Sequence, residues 1–447
     1  MATALIILGA GIGSRMNSDM PKVLHEIAAA PMLVHAMKSG AALDPERTVI
    51  VAGHGSALVE KAAKAYDPDV TVVIQSEQLG TAHAVDQARD ALADFDGDAL
   101  VLYGDTPFIR PETLAAMAAS RLTHDVVVLG FEAADPGRYG RLIVKDDQLD
   151  RIVEFKDASD EERAVNLCNS GVVAASTSQI FDLISAVENE NAAGEYYLTD
   201  IVGIARARGL SATVVRCDEA ETLGINSRAE LSRAEALFQS HARAEAQENG
   251  VTLTAPETVF FAHDTVVGRD TVIEPNVVFG PGVTVESGTT IRAFSHLEGC
   301  HISRGAVVGP YARLRPGAEL AENVKVGNFV EIKNALIAEG AKVNHLSYIG
   351  DATIGARSNI GAGTITCNYD GVFKHKTTIG EDVFIGSNTM LVAPITVGDA
   401  AMTGSGSVVT RDVPAGDLAV ARAKQENKAG FAVRLFEKLK ARKAKGS

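Results

Sequence analysis

VGRDTVIEPNVVFGPGVTVESGTTIRAFSHL, residues 267–297, carries an apolar side chain at every sixth position: Val267, Ile273, Phe279, Val285, Ile291 and Leu297. An α-helix repeats at 3.6 residues and a half-buried strand at two, and neither selects one strong apolar position in six. Period six fits a parallel β-helix, with one inward residue per short strand and a turn between strands. After a one-residue slip the series resumes at Ile302, Val308, Leu314, Leu320, Val326 and Ile332. It returns at Ile337, Val343 and Ile349, then at Ile354 and Ile360, and after an insertion runs from Ile379 through Ile385, Leu391, Val397 and Thr403 to Val409. Eight or nine coils at strand spacing predict a prism ~40 Å long. Such an aliphatic ladder accounts for a chain with 41 glycines and no tryptophan.

Upstream of the repeat the texture changes. SRAELSRAEALFQSHARAEAQENG (227–250) is rich in Ala, Glu, Arg and Leu, opens on the S-x-x-E capping box of Ser227 and Glu230, and stops at Asn249-Gly250. At helical rise this is a rod of ~33 Å, a spacer between a domain of residues 1–226 and one of 251–447. Two domains suit 447 residues, which exceed the usual single core.

Composition sets outer limits. A net charge of −15 argues against nucleic acid as a partner, so an anionic substrate must meet cations concentrated locally. No run of 18 apolar residues offers a membrane span. The opening MATALIILGAGIG lacks a basic n-region and reads as a first strand, not a secretion signal. Cys168, Cys217, Cys300 and Cys367 are too scattered for a zinc site and read as free thiols of a cytoplasmic protein.

In the first half, β-rich runs recur at 4–8 (ALIIL), 48–52 (TVIVA), 70–74 (VTVVI), 99–103 (ALVLY) and 126–131 (VVVLGF), with helical patterns at 31–43 and 80–93 between them. The alternation predicts an α/β, Rossmann-like parallel sheet covered on both faces, with a ligand at the carboxyl ends of its strands. There the loop LGAGIGSRMNSDMPKVL (8–24) leaves the first strand. A dinucleotide fingerprint requires glycine where Ser14 or Met16 stands, and the G-K-[ST] of a P-loop is absent. What remains is a glycine loop with Arg15 and Lys22, able to approach and neutralise a triphosphate. Taken alone, the loop is equally an ordinary strand-to-helix turn.

LGAGIGSRM followed by PKVLHEIAAAPM resembles the signature of the sugar nucleotidyltransferases, with Gly9 at a position usually held by alanine. QSEQLGTAHAV (75–85), YGDTP (103–107), GRYGRL (137–142), IVEFKDA (152–158), CNSG (168–171), YYLTD (196–200) and GINSR (224–228) follow in order. The series resembles the uridyltransferase half of the bifunctional enzymes that make UDP-N-acetylglucosamine. The resemblance implies that a sugar 1-phosphate attacks the α-phosphorus of UTP and pyrophosphate leaves, a reaction that needs positioning and charge neutralisation more than a base. It places Leu8, Gly9, Ala10, Gly11, Arg15 and Lys22 around the nucleotide, Gln75, Gly80 and Thr81 at the uracil, Tyr103 and Gly104 beside Asp105, and Gly140, Glu154 and Asn169 at the amino sugar. It pairs Asp105 with Asn226 as oxygen ligands of Mg²⁺.

In the second half, ITCNYDGVFKHKT (365–377) interrupts the ladder, and a long extrusion from a regular solenoid usually serves a function. Around it LRPG (314–317), EIKNA (331–335), NHLSYIG (344–350), NIGAGTITCNYDG (359–371), IGSN (385–388) and ARAKQ (421–425) resemble the acetyltransferase half of the same family. The resemblance implies a C-terminal left-handed parallel β-helix of triangular section, with three hexapeptides per coil, joined by the long α-helix to the Rossmann-like domain. It also implies a homotrimer with acetyl-transfer sites between β-helices. His345 becomes the general base. Arg315 and Lys333 clamp the sugar phosphate, Tyr348 and Asn359 orient the sugar, and a backbone amide near Ala362 faces the oxyanion. Asn368, Tyr369, Ser387, Ser405 and Arg422 contact coenzyme A or the neighbouring wall, Ser405 standing where some relatives have alanine. Cys367 reads as a bystander, since direct transfer needs no acyl-enzyme.

The whole resembles a cytoplasmic enzyme that acetylates glucosamine 1-phosphate from acetyl-CoA and joins the product, N-acetylglucosamine 1-phosphate, to UMP from UTP, feeding peptidoglycan and lipopolysaccharide precursors. Read from the residues alone, two alternatives stay open: a nucleotidyltransferase whose β-helix only oligomerises, and a non-enzymatic assembly subunit. The tail FAVRLFEKLKARKAKGS (431–447) has an amphipathic start and a basic end; short and attached to an acidic protein, it suits a subunit contact or the coenzyme A phosphates better than a membrane surface.

Overall fold

The computed structural model describes residues 2–11 and 13–446; Met1, Ile12 of the glycine loop and Ser447 of the tail lie outside the described residues. Two compact units divide the chain, Met1–His241 and Ala242–Ser447. The division falls within one helix, Arg228–Glu248. At its start Ser227 Oγ accepts from the Glu230 amide at 3.3 Å, while the Glu230 carboxylate reaches back to the Asn226 amide at 2.7 Å.

In the first unit β1 (Thr3–Gly9), β2 (Arg47–Ala52), β3 (Thr71–Ile74), β4 (Asp98–Tyr103) and β5 (Val126–Glu132) coincide with the five apolar runs. The hairpin β6 (Arg141–Lys145) and β7 (Gln148–Val153) follows, then β8 (Leu167–Ser176) and β9 (Ala212–Cys217). The sheet runs β9–β5–β8–β4–β1–β2–β3, with the hairpin attached to β8. The sheet is buried on both faces, which is why β1 is continuously apolar: Ala4, Ile6 and Leu8 enter one core cluster, Leu5 and Ile7 the other.

The expected parallel sheet also contains antiparallel members. β8 lies antiparallel between β4 and β5, and β6 and β7 also pair antiparallel. The run LCNSGVVAAS is buried like a parallel core strand, and burial carries no strand direction. The reversal brings the beginning of β8 to the edge where β1 and β4 end; there Asn169 pairs with Gly130, near the end of β5. The expected helix of 80–93 is also shorter, ending at Asp86 before a separate turn at Asp90–Leu92.

In the second unit the period-six residues form three parallel ladders, one per face. The first stacks Leu253, Ile273, Ile291, Val308, Val326, Val343, Ile360 and Ile385. The second stacks Val267, Val285, Ile302, Leu320, Ile337, Ile354, Ile379 and Val397. The third stacks Phe279, Leu297, Leu314, Ile332 and Ile349, continued by Thr366, Leu391 and Val409. Three faces per coil give the triangular section. From Ile273 to Val409 every member of the series is buried.

Two corners of this prism matter for the sites. Between the first and third ladders the corner residues are Phe294, Tyr311, Phe329 and Leu346, all at positive φ. The corner between the third and second ladders holds every one-residue slip of the repeat, and the inserted segment Asn368–Lys376 leaves the prism there.

Candidate active sites

The strand ends of the first unit open onto a cleft of about 350 Å³ lined by Leu8, Ala10, Gly11, Lys22, Gln75, Gly80, Thr81, Tyr103 and Asp105. Gly104 backs it, its amide donating to the Leu8 carbonyl at 2.9 Å. At Gly9 a Cβ would stand 3.5 Å from Val23 and from the Val51 carbonyl, so alanine fits there as in the signature. Gly13 clears a path for Lys22, while Gly11 lies in ordinary contact with it. Gly13 holds φ +66°, and a Cβ would come within 2.7 Å of the Lys22 Cβ; at Gly11 it would meet the Lys22 Cε at 3.8 Å. Arg15 is exposed on the turn Ser14–Met16 and does not line the cleft.

The Lys22 ammonium hydrogen-bonds Asp105 and lies 3.0 Å from Asn226 Oδ1. A cation thus already sits between the two oxygens expected to hold Mg²⁺. Asn226 is brought there by the capped helix start, and the Ile225 amide donates to the Asp105 carbonyl at 3.0 Å. Among the described residues no three His, Cys, Asp or Glu side chains converge as a metal centre. Two hard oxygens suit an ion that completes its shell with water and phosphate, the habit of Mg²⁺. Arg228 fastens this region: Nε donates to the Met16 carbonyl and the guanidinium meets His25 Nδ1, each at 3.2 Å. Burial, then the Arg228 charge, lowers the pKa of His25.

The far wall is stitched by backbone. Gly80 holds φ +119°, and a Cβ there would come within 2.4 Å of the Tyr196 carbonyl. The Tyr196 amide donates to Leu79 at 2.8 Å, and the Leu198 amide to Thr81 Oγ1 at 2.9 Å, so Thr81 is itself a tie between segments. Gln75 donates to the Gly80 carbonyl at 3.2 Å. Sequence reasoning missed Gln78 and Glu195, which also line the cleft; Gln78 Nε2 donates to the Ala10 carbonyl at 2.7 Å.

Gly140, Glu154 and Asn169 form a second group. A Cβ on Gly140 would stand 3.4 Å from Glu154 Oε1 and 3.6 Å from Asn169 Cβ. Burial pushes the Glu154 carboxyl up, against the opposing pull of the Thr199 hydroxyl that donates to it at 3.2 Å. Tyr103 joins the two groups, lining the cleft while its ring covers Gly171.

On the β-helix the expected residues sort by corner. His345, Ala362, Ser387, Ser405 and Arg422 follow one another on successive coils at the corner between the first and third ladders. There the Gly363 amide donates to the His345 carbonyl at 3.2 Å, Gly406 to Ser387 at 2.8 Å, and Arg422 to the Ser405 carbonyl at 2.6 Å. Arg315 and Lys333 stand at the other edge of the third face, beside the inserted loop. Tyr348 lies on that face between the two corners, in register with Glu331. Asn359 lies across the corner, on the first face.

Sequence reasoning missed Lys374, inside the KHK run of the loop. The close approach of its like charge is the main reason the Lys333 pKa falls, with desolvation and then Arg315 adding to the effect. Three cations converge, and the field of two of them, Lys374 and Lys333, reaches Asp351, which accepts from Asn334 at 2.6 Å and from Asn368. Asn368 is therefore a buried strut of the loop, while Tyr369 is exposed. Burial raises the Cys367 thiol, which leaves it a poor nucleophile, as expected of a bystander.

A nucleotidyltransferase unit and a hexapeptide-repeat acyltransferase unit on one chain define a class of two-reaction transferases. Residues 5–191 match the MobA-like NTP transferase domain, 264–299 the bacterial transferase hexapeptide (six repeats), and 296–398 the GMPPB C-terminal domain. The bifunctional protein GlmU of Ruegeria pomeroyi is 71% identical over 444 residues, covering 99% of each chain. That of Roseobacter denitrificans is 68% identical over 445 residues, covering 100% of this chain and 99% of its own. Among solved structures, a UDP-glucose pyrophosphorylase bound to UDP-glucose covers 54% of this chain and 100% of its own at 18% identity and a TM-score of 0.44. The chain belongs to the GlmU family. It is an enzyme of two transfers: acetyl transfer from acetyl-CoA to glucosamine 1-phosphate, and uridylyl transfer from UTP to N-acetylglucosamine 1-phosphate. Its β-helix is of the left-handed hexapeptide type. No helix among the described residues is long and apolar enough to cross a membrane.

Proposed function

We propose that uridylyl transfer runs in the cleft at the strand ends, with Lys22, Asp105 and Asn226 handling the phosphates, and that acetyl transfer runs across the third face of the β-helix. The observation that carries the first assignment is the Lys22 ammonium seated between Asp105 and Asn226. Asp105 and Asn226 would hold Mg²⁺, which would supply charge neutralisation at the reacting phosphates, and Lys22 faces the same phosphate chain. Arg15 closes over the phosphates, Gln75 and Gly80 border the base, and Gly140, Glu154 and Asn169 receive the amino sugar. The nucleophile is a phosphate oxygen, already anionic, so no base is needed.

On the β-helix, Arg315, Lys333 and Lys374 take the sugar phosphate at one edge, Tyr348 and Asn359 flank the sugar, and His345 waits at the other edge. His345 Nε2 takes the proton that the amine gives up as nitrogen bonds to the acetyl carbon. The amide of Ala362 or Gly363 faces the developing oxyanion, the carbon–sulfur bond breaks, and the imidazolium returns a proton to the departing thiolate. Ser387, Ser405, Arg422 and Tyr369 border coenzyme A.

The site is completed in a homotrimer. His345 is exposed in the single chain, and the corner leading to it is an apolar ladder: Phe294, Tyr311 and Phe329 stack at 4.9 and 5.2 Å while about half exposed. Large side chains at positive φ are costly, and a buried seam between copies offsets that cost. Acetyl-CoA, UTP and free thiols suit the cytoplasm. Mass spectrometry of products from glucosamine 1-phosphate, acetyl-CoA, UTP and Mg²⁺ tests the scheme. Asp105→Ala must accumulate N-acetylglucosamine 1-phosphate and His345→Ala must leave glucosamine 1-phosphate unacetylated. Sedimentation of Tyr311→Asp/Phe329→Asp must give a monomer that keeps uridylyl transfer and loses acetyl transfer.

A further inference from the structure

We infer that Asn328 is the positioning residue that sets the imidazole of His345 for proton abstraction. The inference rests on His345 being the base. Asn328 and His345 are register partners on adjacent coils, and Asn328 Oδ1 lies 2.8 Å from His345 Nδ1. An amide oxygen can only accept, so Nδ1 carries the proton and Nε2 keeps the lone pair that a base requires.

The surrounding backbone holds both partners. The Leu346 amide donates to the Asn328 carbonyl at 3.0 Å. The His345 carbonyl accepts from Ser347 Oγ at 2.8 Å and from the Gly363 amide at 3.2 Å. Gly327 permits the close approach of the coils: a Cβ there would fall 1.9 Å from the Asn344 carbonyl oxygen.

A histidine base is more often oriented by a carboxylate. Here Glu331, three residues beyond Asn328, is held by Arg315 at 2.8 Å. The other charged groups near in register are Lys325 and Lys342, which precede Asn328 and His345 on the same strands. A neutral orienter fixes the tautomer without drawing the ring toward its protonated form, which suits a base that must enter the cycle neutral.

The test uses the full chain and follows both reactions separately. Asn328→Ala is expected to lower the acetyl-transfer kcat about 10- to 100-fold, with the KM of glucosamine 1-phosphate little changed and uridylyl transfer at the wild-type rate. Asn328→Asp keeps an acceptor at the ring and adds charge. It is expected to retain most of kcat and to move the acidic limb of the acetyl-transfer pH profile up by about one unit. A merely structural asparagine predicts neither the kcat-only loss nor that displacement. Wild-type kcat in Asn328→Ala with acetyl transfer lost in His345→Ala overturns the positioning role and leaves the base in place. Acetyl transfer at the wild-type rate in His345→Ala overturns the base assignment itself. If Asn328→Ala does not fold, the Asp variant decides: an unmoved profile rejects the proposal.

Discussion

Lys22 illustrates how a single side chain joins loop geometry to chemistry. Gly13 makes room for its stem, and its ammonium occupies the position between Asp105 and Asn226. Lys22→Ala is expected to lower uridylyl-transfer kcat/KM about 10²- to 10³-fold, with acetyl transfer unaffected; steady-state rates of the separate reactions check this. Glu154 makes the opposite trade. Burial raises its carboxyl above the ordinary 4.5, so its contribution to stability is present in acid and is lost as pH rises through the raised value. Above the ordinary carboxyl range the desolvated Glu154 therefore costs stability. Glu154→Gln is expected to raise the melting temperature of the first unit at pH 8, a gain that disappears toward pH 4, while raising the KM for N-acetylglucosamine 1-phosphate about tenfold; calorimetry across pH with kinetics would read both. Asp105, Lys22 and Glu154 were legible because each stands in an ordered motif. Gln78, Asn328 and Lys374 were not, because each acts through a neighbour that only the folded chain brings close.

At the scale of the element, the period-six pattern was almost fully legible, since each inward residue has no alternative place to bury itself. The strand direction of β8 was not, because burial on both faces is the same whichever way a strand runs. Nor could the slips be interpreted from the linear sequence. The five-residue steps after Leu297, Ile332 and Ile349 and the insertion after Cys367 look unrelated until the chain is wound; then they share one corner, the one that gathers Arg315, Lys333 and the loop. The ladder itself is load shared between coils. Ile332 is fully buried between Leu314 and Ile349, so Ile332→Ala should destabilise the second unit by about 2–5 kcal/mol. It sits directly before Lys333, and denaturant unfolding should be accompanied by weaker binding of glucosamine 1-phosphate below the transition. A variant with unchanged unfolding midpoint would mean that the ladder does not carry the core.

At the scale of the molecule, the two reactions rest on separate cores. The clusters beneath the uridylyl cleft contain only residues of the first unit, and the ladder cluster begins at Val251. Among the described residues the clusters that hold Asp105 and His345 in place have no member in common, so damage at one site is expected to leave the other working. The acetylated intermediate is a small, strongly hydrated sugar phosphate, and of the proposed clamp Arg315 and Lys333 are half-buried and Lys374 is exposed. Such a product is expected to be released before it is used. Asp105→Ala supplies the intermediate and cannot use it; His345→Ala uses it and cannot supply it. Mixed in equal amounts with glucosamine 1-phosphate, acetyl-CoA, UTP and Mg²⁺, the two variants should make UDP-N-acetylglucosamine after a lag, at about half the steady rate of the same total wild-type protein when each reaction runs on half the sites. Adding unlabelled N-acetylglucosamine 1-phosphate should dilute label from glucosamine 1-phosphate equally in the mixture and in the wild type. If the wild type resists dilution while the mixture does not, the intermediate is passed on within the assembly, and the independence read from the separate cores fails.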